Sequence, residues 1–135
     1  MRKRTRAREY ALQILYEHDM THAPISEIWD RFWTGKTGSE IKSYTEKLVK
    51  GTEAKLESID KIIERFAEHW EMKRMAYVDR NILRLATYEI MYLEEIPVKV
   101  AINEAVELAK RYGESDSSKF VNGILDKIAK TECKK

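Results

Sequence analysis

Apolar residues recur along this chain at steps of three and four, the spacing that gathers them on one face of a helix. The clearest case runs from Ile96 to Ile128. Ala101, Ala105, Leu108, Ala109 and Tyr112 form one stripe, and Val121, Ile124, Leu125 and Ile128 form a second. Pro97 suits a helical first turn, where its missing N–H costs nothing. The small alanines let a neighbouring helix approach closely. Gly113 is expected in the left-handed conformation that ends a helix. Ser115 or Asp116 then caps the next helix through a side-chain oxygen. Left over in the first turns of that last helix are Lys119, Phe120 and Asn122, beside Asp116, Ser117 and Ser118. A cation, an aromatic ring, and amide and hydroxyl groups at a helix start make a candidate docking surface.

The same spacing predicts five helices upstream. The first starts near Thr5 and carries Ala7, Ala11, Ile14, Leu15 and His18 on one face, with Tyr16 to the side. The second is capped by Ser26 and carries Ile25, Ile28, Trp29 and Phe32; residues 34–38 form a turn. The third opens at Ser39 and carries Ile41, Tyr44, Thr45, Leu48 and Val49, with Gly51 ending or bending it. The fourth carries Leu56, Ile59, Ile63, Phe66 and Trp70, and the pattern leaves open whether it continues the third. In the fifth, about Tyr77 to Glu94, the stripe of Val78, Ile82, Leu85, Ala86 and Leu93 is joined by Leu83, Ile90 and Met91 on other sides. A helix apolar on most sides is buried on most sides, so it is expected at the centre of the C-terminal half.

Composition narrows the classes. The 135 residues suffice for one domain with a core of its own. A hydrophobic share of 43% argues against disorder, and 36% charged residues suit helices with solvated outer faces. Two prolines and five glycines leave little material for a turn-rich β fold. The net charge is only +2, so any attraction to nucleic acid depends on where the charge sits. The single cysteine, Cys133, excludes an internal disulfide and is expected as a frayed-tail thiol. No apolar run reaches membrane-spanning length, and the basic N-terminus lacks the apolar run of a signal peptide. A cytoplasmic protein is expected.

Catalytic and metal signatures are missing. His18 and His22 stand four apart, but no Cys or HExxH arrangement completes a metal site, and His18 reads as a packed side chain. Gly35-Lys36-Thr37 lacks the upstream glycine of a phosphate loop. The reading is of a non-enzyme with no cofactor and no metal. The clearest positive feature is the N-terminal cluster of Arg2, Lys3, Arg4, Arg6 and Arg8, with no acid before Glu9. Such a cluster is either a solvated tail or a phosphate contact that releases counterions. Cations at a helix N-terminus oppose the macrodipole, which favours an external anion. Phe120 is a core side chain by its spacing, or a stacking platform for an unpaired base. Asp79 and Arg84, polar on an apolar helix, are salt-bridging residues (with Glu89 or Arg80) or a contact face.

Four blocks carry a resemblance that decides among these. They are Arg4-Thr5-Arg6-Ala7-Arg8-Glu9 through Tyr16, VDRNILRLATYEI from Val78, IPVKVAINEAVELAKRYG from Ile96, and SSKFVNGILD. Their order and spacing resemble the bacterial transcription antitermination factors of the NusB family; residues 21–75 match only in helical pattern. The resemblance implies RNA binding through Arg2, Lys3, Arg4, Arg6, Arg8, Tyr16, Asp116, Ser117, Lys119 and Phe120. It implies a contact with the small-subunit ribosomal protein NusE through Asp79 and Arg84, flanked by Tyr88. The implied ligand is single-stranded boxA RNA, bound jointly with NusE to act on RNA polymerase during ribosomal RNA synthesis. Gly123 is expected to permit close helix contact. The alternatives are a helical adaptor for proteins alone and the RNA-binding subunit of an RNA-modifying enzyme. The expected fold is all-α, with about seven helices in two small packed bundles. It forms a single domain over 1–135, with an N-terminal half to residue 75 and a C-terminal half from 76.

Overall fold

A computed structural model describes residues 2–35, 38–68, 70–133 and 135. Lys36 and Thr37 of the expected turn, and His69, lie outside the described residues. The chain forms α1 (Lys3–Thr21), α2 (Ile25–Phe32), α3 (Ser39–Ala54), α4 (Leu56–Phe66), α5 (Tyr77–Tyr92), α6 (Val98–Tyr112) and α7 (Ser117–Glu132), with one 3₁₀ turn at Met72–Arg74. Among the described residues there is no strand. The all-α expectation of seven helices holds.

α5 is the centre. It touches α1, α3, α4, α6 and α7, and its residues from Asn81 to Thr87 are all buried. Burial on most sides follows from apolar groups on most sides, as its sequence predicts, and the polar Asn81, Arg84, Thr87 and Glu89 are buried with them. α1 packs on α2 and α3, while α6 and α7 pack on each other. α4 lies against α5 and α7, so helices from before and after residue 75 share one core. A break at Lys55 separates α3 from α4, with Lys55 at φ −109° and ψ 15°.

Several local expectations are corrected. α1 begins two residues before Thr5, whose hydroxyl instead donates to Glu104 Oε1 at 2.8 Å. α2 begins at Ile25 after Pro24, so Ser26 is not its cap. Gly51 does not end α3. It makes room for α5, because a Cβ there would lie 2.0 Å from Tyr88 Cζ. Gly113 is extended at φ −94°, not left-handed; its reason is again space, since a Cβ would meet Ser117 at 2.5 Å. Gly123 faces open space, and a Cβ added there would meet nothing within 4 Å, so it serves no helix contact. Trp70 falls beyond α4 and is 50% exposed. Cys133 is not frayed: it is partly buried, its thiol 3.6 Å from Ile90 O. Beside it Lys135 Nζ donates to the carbonyls of Glu89, Leu93 and Ile96 at the end of α5.

Candidate nucleic-acid interface

The N-terminal cations diverge because a helix turns about 100° per residue. Arg2, Lys3 and Arg4 are exposed. Lys3 pairs with Glu40 at 3.0 Å, and the Arg4 guanidinium sits 4.8 Å from the centre of the Tyr44 ring. Both line a cleft of about 830 Å³ beside α3, with Ser43, Lys47 and Lys50. Arg6 turns the other way, half-exposed, with Nη1 3.3 Å from Glu9 Oε1.

Arg8 corrects the expectation most sharply. It is 3% exposed, and its Nε donates to Glu89 Oε1 and Oε2 at 2.9 and 3.0 Å. Nη1 donates to Glu104 at 3.1 Å, and the Tyr44 hydroxyl donates to Glu89 from the other side. Burial alone would make Arg8 easier to deprotonate, but the Glu89 hydrogen bond and charge outweigh it and hold the proton more firmly than usual. Burial beside the Glu89 charge pushes the Tyr44 hydroxyl well above its ordinary range, so it stays a donor. Arg8 ties α1 to α5 and α6 from inside and is not offered to a ligand.

Glu9 is a second meeting point. Its side chain is 2% exposed, yet Arg6, Arg111 and the Tyr112 hydroxyl (2.9 Å) all reach it. Tyr112, placed by its spacing in the stripe of α6, is 40% exposed and joins α1 at the surface. Glu9 thus brings Arg6 to the turn between α6 and α7. In that turn the Glu114 N–H donates to Ser117 Oγ at 2.9 Å. Ser117 is 2% exposed, so it orders the turn and does not face outward. Asp116 caps nothing through its side chain. Asp116 and Lys119 are exposed, and Phe120 is half-buried with its ring 6.0 Å from that of Trp70, edge to face.

Two hollows connect these groups. One, of about 470 Å³, is lined by Leu12, Tyr16, Met20, Val78 and Tyr112. The other, of about 370 Å³, is lined by Trp70, Met75, Ala76, Asp79, Asp116 and Phe120. Val78 of the first hollow and Asp79 of the second are neighbours in the first turn of α5. Arg6 and Tyr112 meet at Glu9, Tyr112 and Tyr16 share the first hollow, and Asp79, Asp116 and Phe120 share the second. Arg111 goes unmarked in the sequence, and Tyr112 and Trp70 read there only as members of apolar stripes. A basic residue in the last turn of α6 was the one local signal for Arg111. Nothing local to Trp70 signalled that it leaves the fourth helix for this surface.

The three residues expected at a protein contact do not share a face. Arg84 is 9% exposed. Its Nε and Nη2 donate to Asp60 at 2.9 Å each, and Nη1 to Asp19 at 3.1 Å. It fastens α4 and α1 to α5 and is not offered to an outside partner, a second correction. Tyr88 covers Gly51 and stacks on Tyr92 at 5.7 Å. Only Asp79 opens toward the hollow described above. Among the described residues no group of three or more His, Cys, Asp or Glu is placed to hold a metal ion, and no helix is long and apolar enough to cross a membrane.

Comparison with known proteins gives one family. The model of the NusB family matches residues 5–130. The transcription antitermination protein NusB of Thermodesulfovibrio yellowstonii is 44% identical, over 96% of this chain and 93% of that protein. The NusB structure of T. maritima superposes with a TM-score of 0.91 at 39% identity, over 97% of this chain and 93% of that one. A chain from a crystal structure of the antitermination factors NusB and NusE in complex with dsRNA superposes with a TM-score of 0.87 at 33% identity, over 96% and 98%.

Proposed function

Because this chain belongs to the NusB family, we propose that it is a transcription antitermination factor that binds RNA together with the ribosomal protein NusE. The RNA is the boxA element of nascent ribosomal RNA, bound as a single strand, and the complex then acts on RNA polymerase in the cytoplasm. The observation that carries the reading is the set of exposed and half-buried groups, Arg6, Tyr16, Asp116, Lys119 and Phe120, around Glu9 and the first turn of α5. Arg6 and Lys119 reach solvent and can neutralise phosphates, which sets register without reading sequence. Tyr16 and Phe120 stand at the two hollows, where unpaired bases can stack. Asp116 accepts hydrogen bonds from base edges. Arg2, Lys3 and Arg4 extend the positive field toward the neighbouring cleft along α3, whose wall includes Lys3 and Arg4. NusE approaches along the first turn of α5 beside Asp79, while Tyr88 and Arg84 shape that helix from behind.

The role is one of binding, through phosphate neutralisation, stacking and base-edge contacts. The test is a titration of the chain with NusE against a boxA strand, a scrambled strand and the boxA duplex. The single boxA strand binds tightest, and Phe120→Ala weakens it by about 1–3 kcal/mol, the range for one lost stack. Equal binding of boxA and scrambled strands removes the selectivity, and tighter binding of the duplex removes the stacking.

A further inference from the structure

Glu9 is buried, but the cations that reach it are not. Its side chain is 2% exposed, while those of Arg6 and Arg111 are 43% and 48% exposed. Arg6 Nη1 lies 3.3 Å from Oε1. Arg111 Nη1 donates to Oε2, which also accepts from the Tyr112 hydroxyl at 2.9 Å. Arg6 belongs to the start of α1 and Arg111 to the last turn of α6, so the fold brings them together. One cation is enough to balance a buried carboxylate. Glu9 has two, which leaves one net positive charge where α1 meets α6. Each guanidinium carries five N–H donors in a rigid fork, and each turns Nη1 inward to Glu9. The rest of each fork is half open to water.

An exposed arginine loses side-chain freedom when it binds, and that loss weakens binding. Here Glu9 already restricts both arginines from inside. They hold the two oxygens of a single carboxylate, so one tetrahedral anion can face both. A phosphodiester has two free oxygens, one for each fork. We propose that Arg6 and Arg111, fixed by the buried Glu9, clamp one phosphodiester of the RNA strand between them. The family resemblance implies Arg6 but neither Arg111 nor Glu9, whose part is to position the two arms. The inference rests on the RNA-binding reading above. An acidic stretch of a protein would also offer anions, but aromatic rings on both sides favour a strand. The Arg6 guanidinium sits 5.9 Å from the centre of the Tyr10 ring, and Tyr112 and Tyr16 line the nearby hollow. Bases that flank the clamped phosphate find faces there.

The test uses boxA strands in which one phosphate at a time is replaced by an uncharged methylphosphonate. Each is titrated into the full chain with NusE. In the unaltered chain, replacement at one position weakens binding by about tenfold. That is the low end for hydrogen bonds to a charged group, because the site is half open to water. Arg111→Ala weakens the all-phosphate strand by a similar factor and makes binding indifferent to replacement at that position. Arg6→Ala does the same at the same position. Either change lowers the slope of log affinity against log salt by about 0.7, because the arginine that remains is cancelled by Glu9. Glu9→Gln keeps the side-chain shape but leaves one acceptor oxygen, so one arm is released. The salt slope then does not fall, while the preference for that one phosphate flattens; a merely structural Glu9 would leave the preference intact. Arginine variants that become indifferent at two different phosphates overturn the clamp. So does an Arg111→Ala chain with the parent's affinity and slope, which leaves RNA binding standing; if that chain also fails to capture NusE, Arg111 belongs to the protein partner. Binding of no strand by the unaltered chain overturns both readings.

Discussion

The first turns of α1 and of α7 use charge in opposite ways. Residues 2–8, leading into α1, carry five cations, and the last of them is spent inside the protein, where Arg8 is locked between Glu89 and Glu104. α7 begins with one cation and one acid near a ring, and Asp116, Lys119 and Phe120 remain open to the outside. The richer cluster is thus not the freer one. What decides is whether a buried carboxylate waits across the fold. Glu89 is 1% exposed and needs a cation beside it, because an unpaired charge at such depth is expensive. The start of α7 faces no such demand, so Asp116 and Lys119 stay open to solvent.

The comparison breaks most readily at Arg8. Arg8→Ala strands the Glu89 carboxylate inside the core with only the Tyr44 hydroxyl for company. The expected loss of stability is about 3–5 kcal/mol, as for any buried pair deprived of one partner, read by urea unfolding. RNA affinity per folded molecule stays unchanged. A variant as stable as the parent but weakened toward RNA would return Arg8 to the ligand surface and undo the contrast.

A second internal arginine sharpens it. Arg84 and Arg80 meet at Asp19, which also accepts from Asn81 at 2.8 Å. Burial alone would push the Asp19 carboxyl up, but the hydrogen bonds from Arg80 and Asn81 and the charge of Arg84 pull it below the ordinary carboxylate range. A carboxylate whose folded pKa is depressed contributes stability that is complete above its unfolded value, about 4, and is lost as pH falls through the folded one. Unfolding followed between about pH 6 and pH 2 should therefore show a loss of stability below roughly pH 4 that Asp19→Asn makes shallower. Asp19 keeps 14% of its side chain exposed, so water softens the effect and it is smaller than at Arg8. An unchanged acid limb in the variant would show that the Asp19 pairing contributes no stability.

These contrasts mark how much the sequence could tell. The burial of α5 was legible because Leu83, Ile90 and Met91 off its main stripe make it apolar on most sides. The exposure of Lys119 was legible because it falls outside the apolar stripe of Val121, Ile124, Leu125 and Ile128, whereas the spacing of Phe120 also reads as core and the ring is half-buried. The fate of Arg8 was not, since Glu89 and Glu104 stand on other helices far along the chain. Gly51 read as a helix end because glycine usually is one; its actual cause is the Tyr88 ring of α5. Tyr112 read as core because its spacing fits the stripe, while the carboxylate that draws it outward belongs to α1. Spacing reports which face of an element is apolar. It does not report what another element brings to the polar positions.

The smallest effect is expected at Arg6, two residues from Arg8 on the same helix. Its side chain is 43% exposed, and it shares Glu9 with Arg111 and Tyr112. Arg6→Ala leaves Glu9 two donors, so the loss of stability is at most about 1 kcal/mol, as for a partly solvated pair. Its mark should appear in RNA binding instead. If Arg6 neutralises one phosphate of a single strand, its removal lowers the slope of log affinity against log salt by about 0.7, equally for boxA and scrambled strands. Arg8→Ala, measured beside it, leaves that slope alone. Two arginines about half a turn apart would then separate cleanly, one in unfolding and the other in salt dependence. The same slope in all three proteins would mean that the phosphate contacts lie elsewhere, along the Lys3 and Arg4 cleft beside α3.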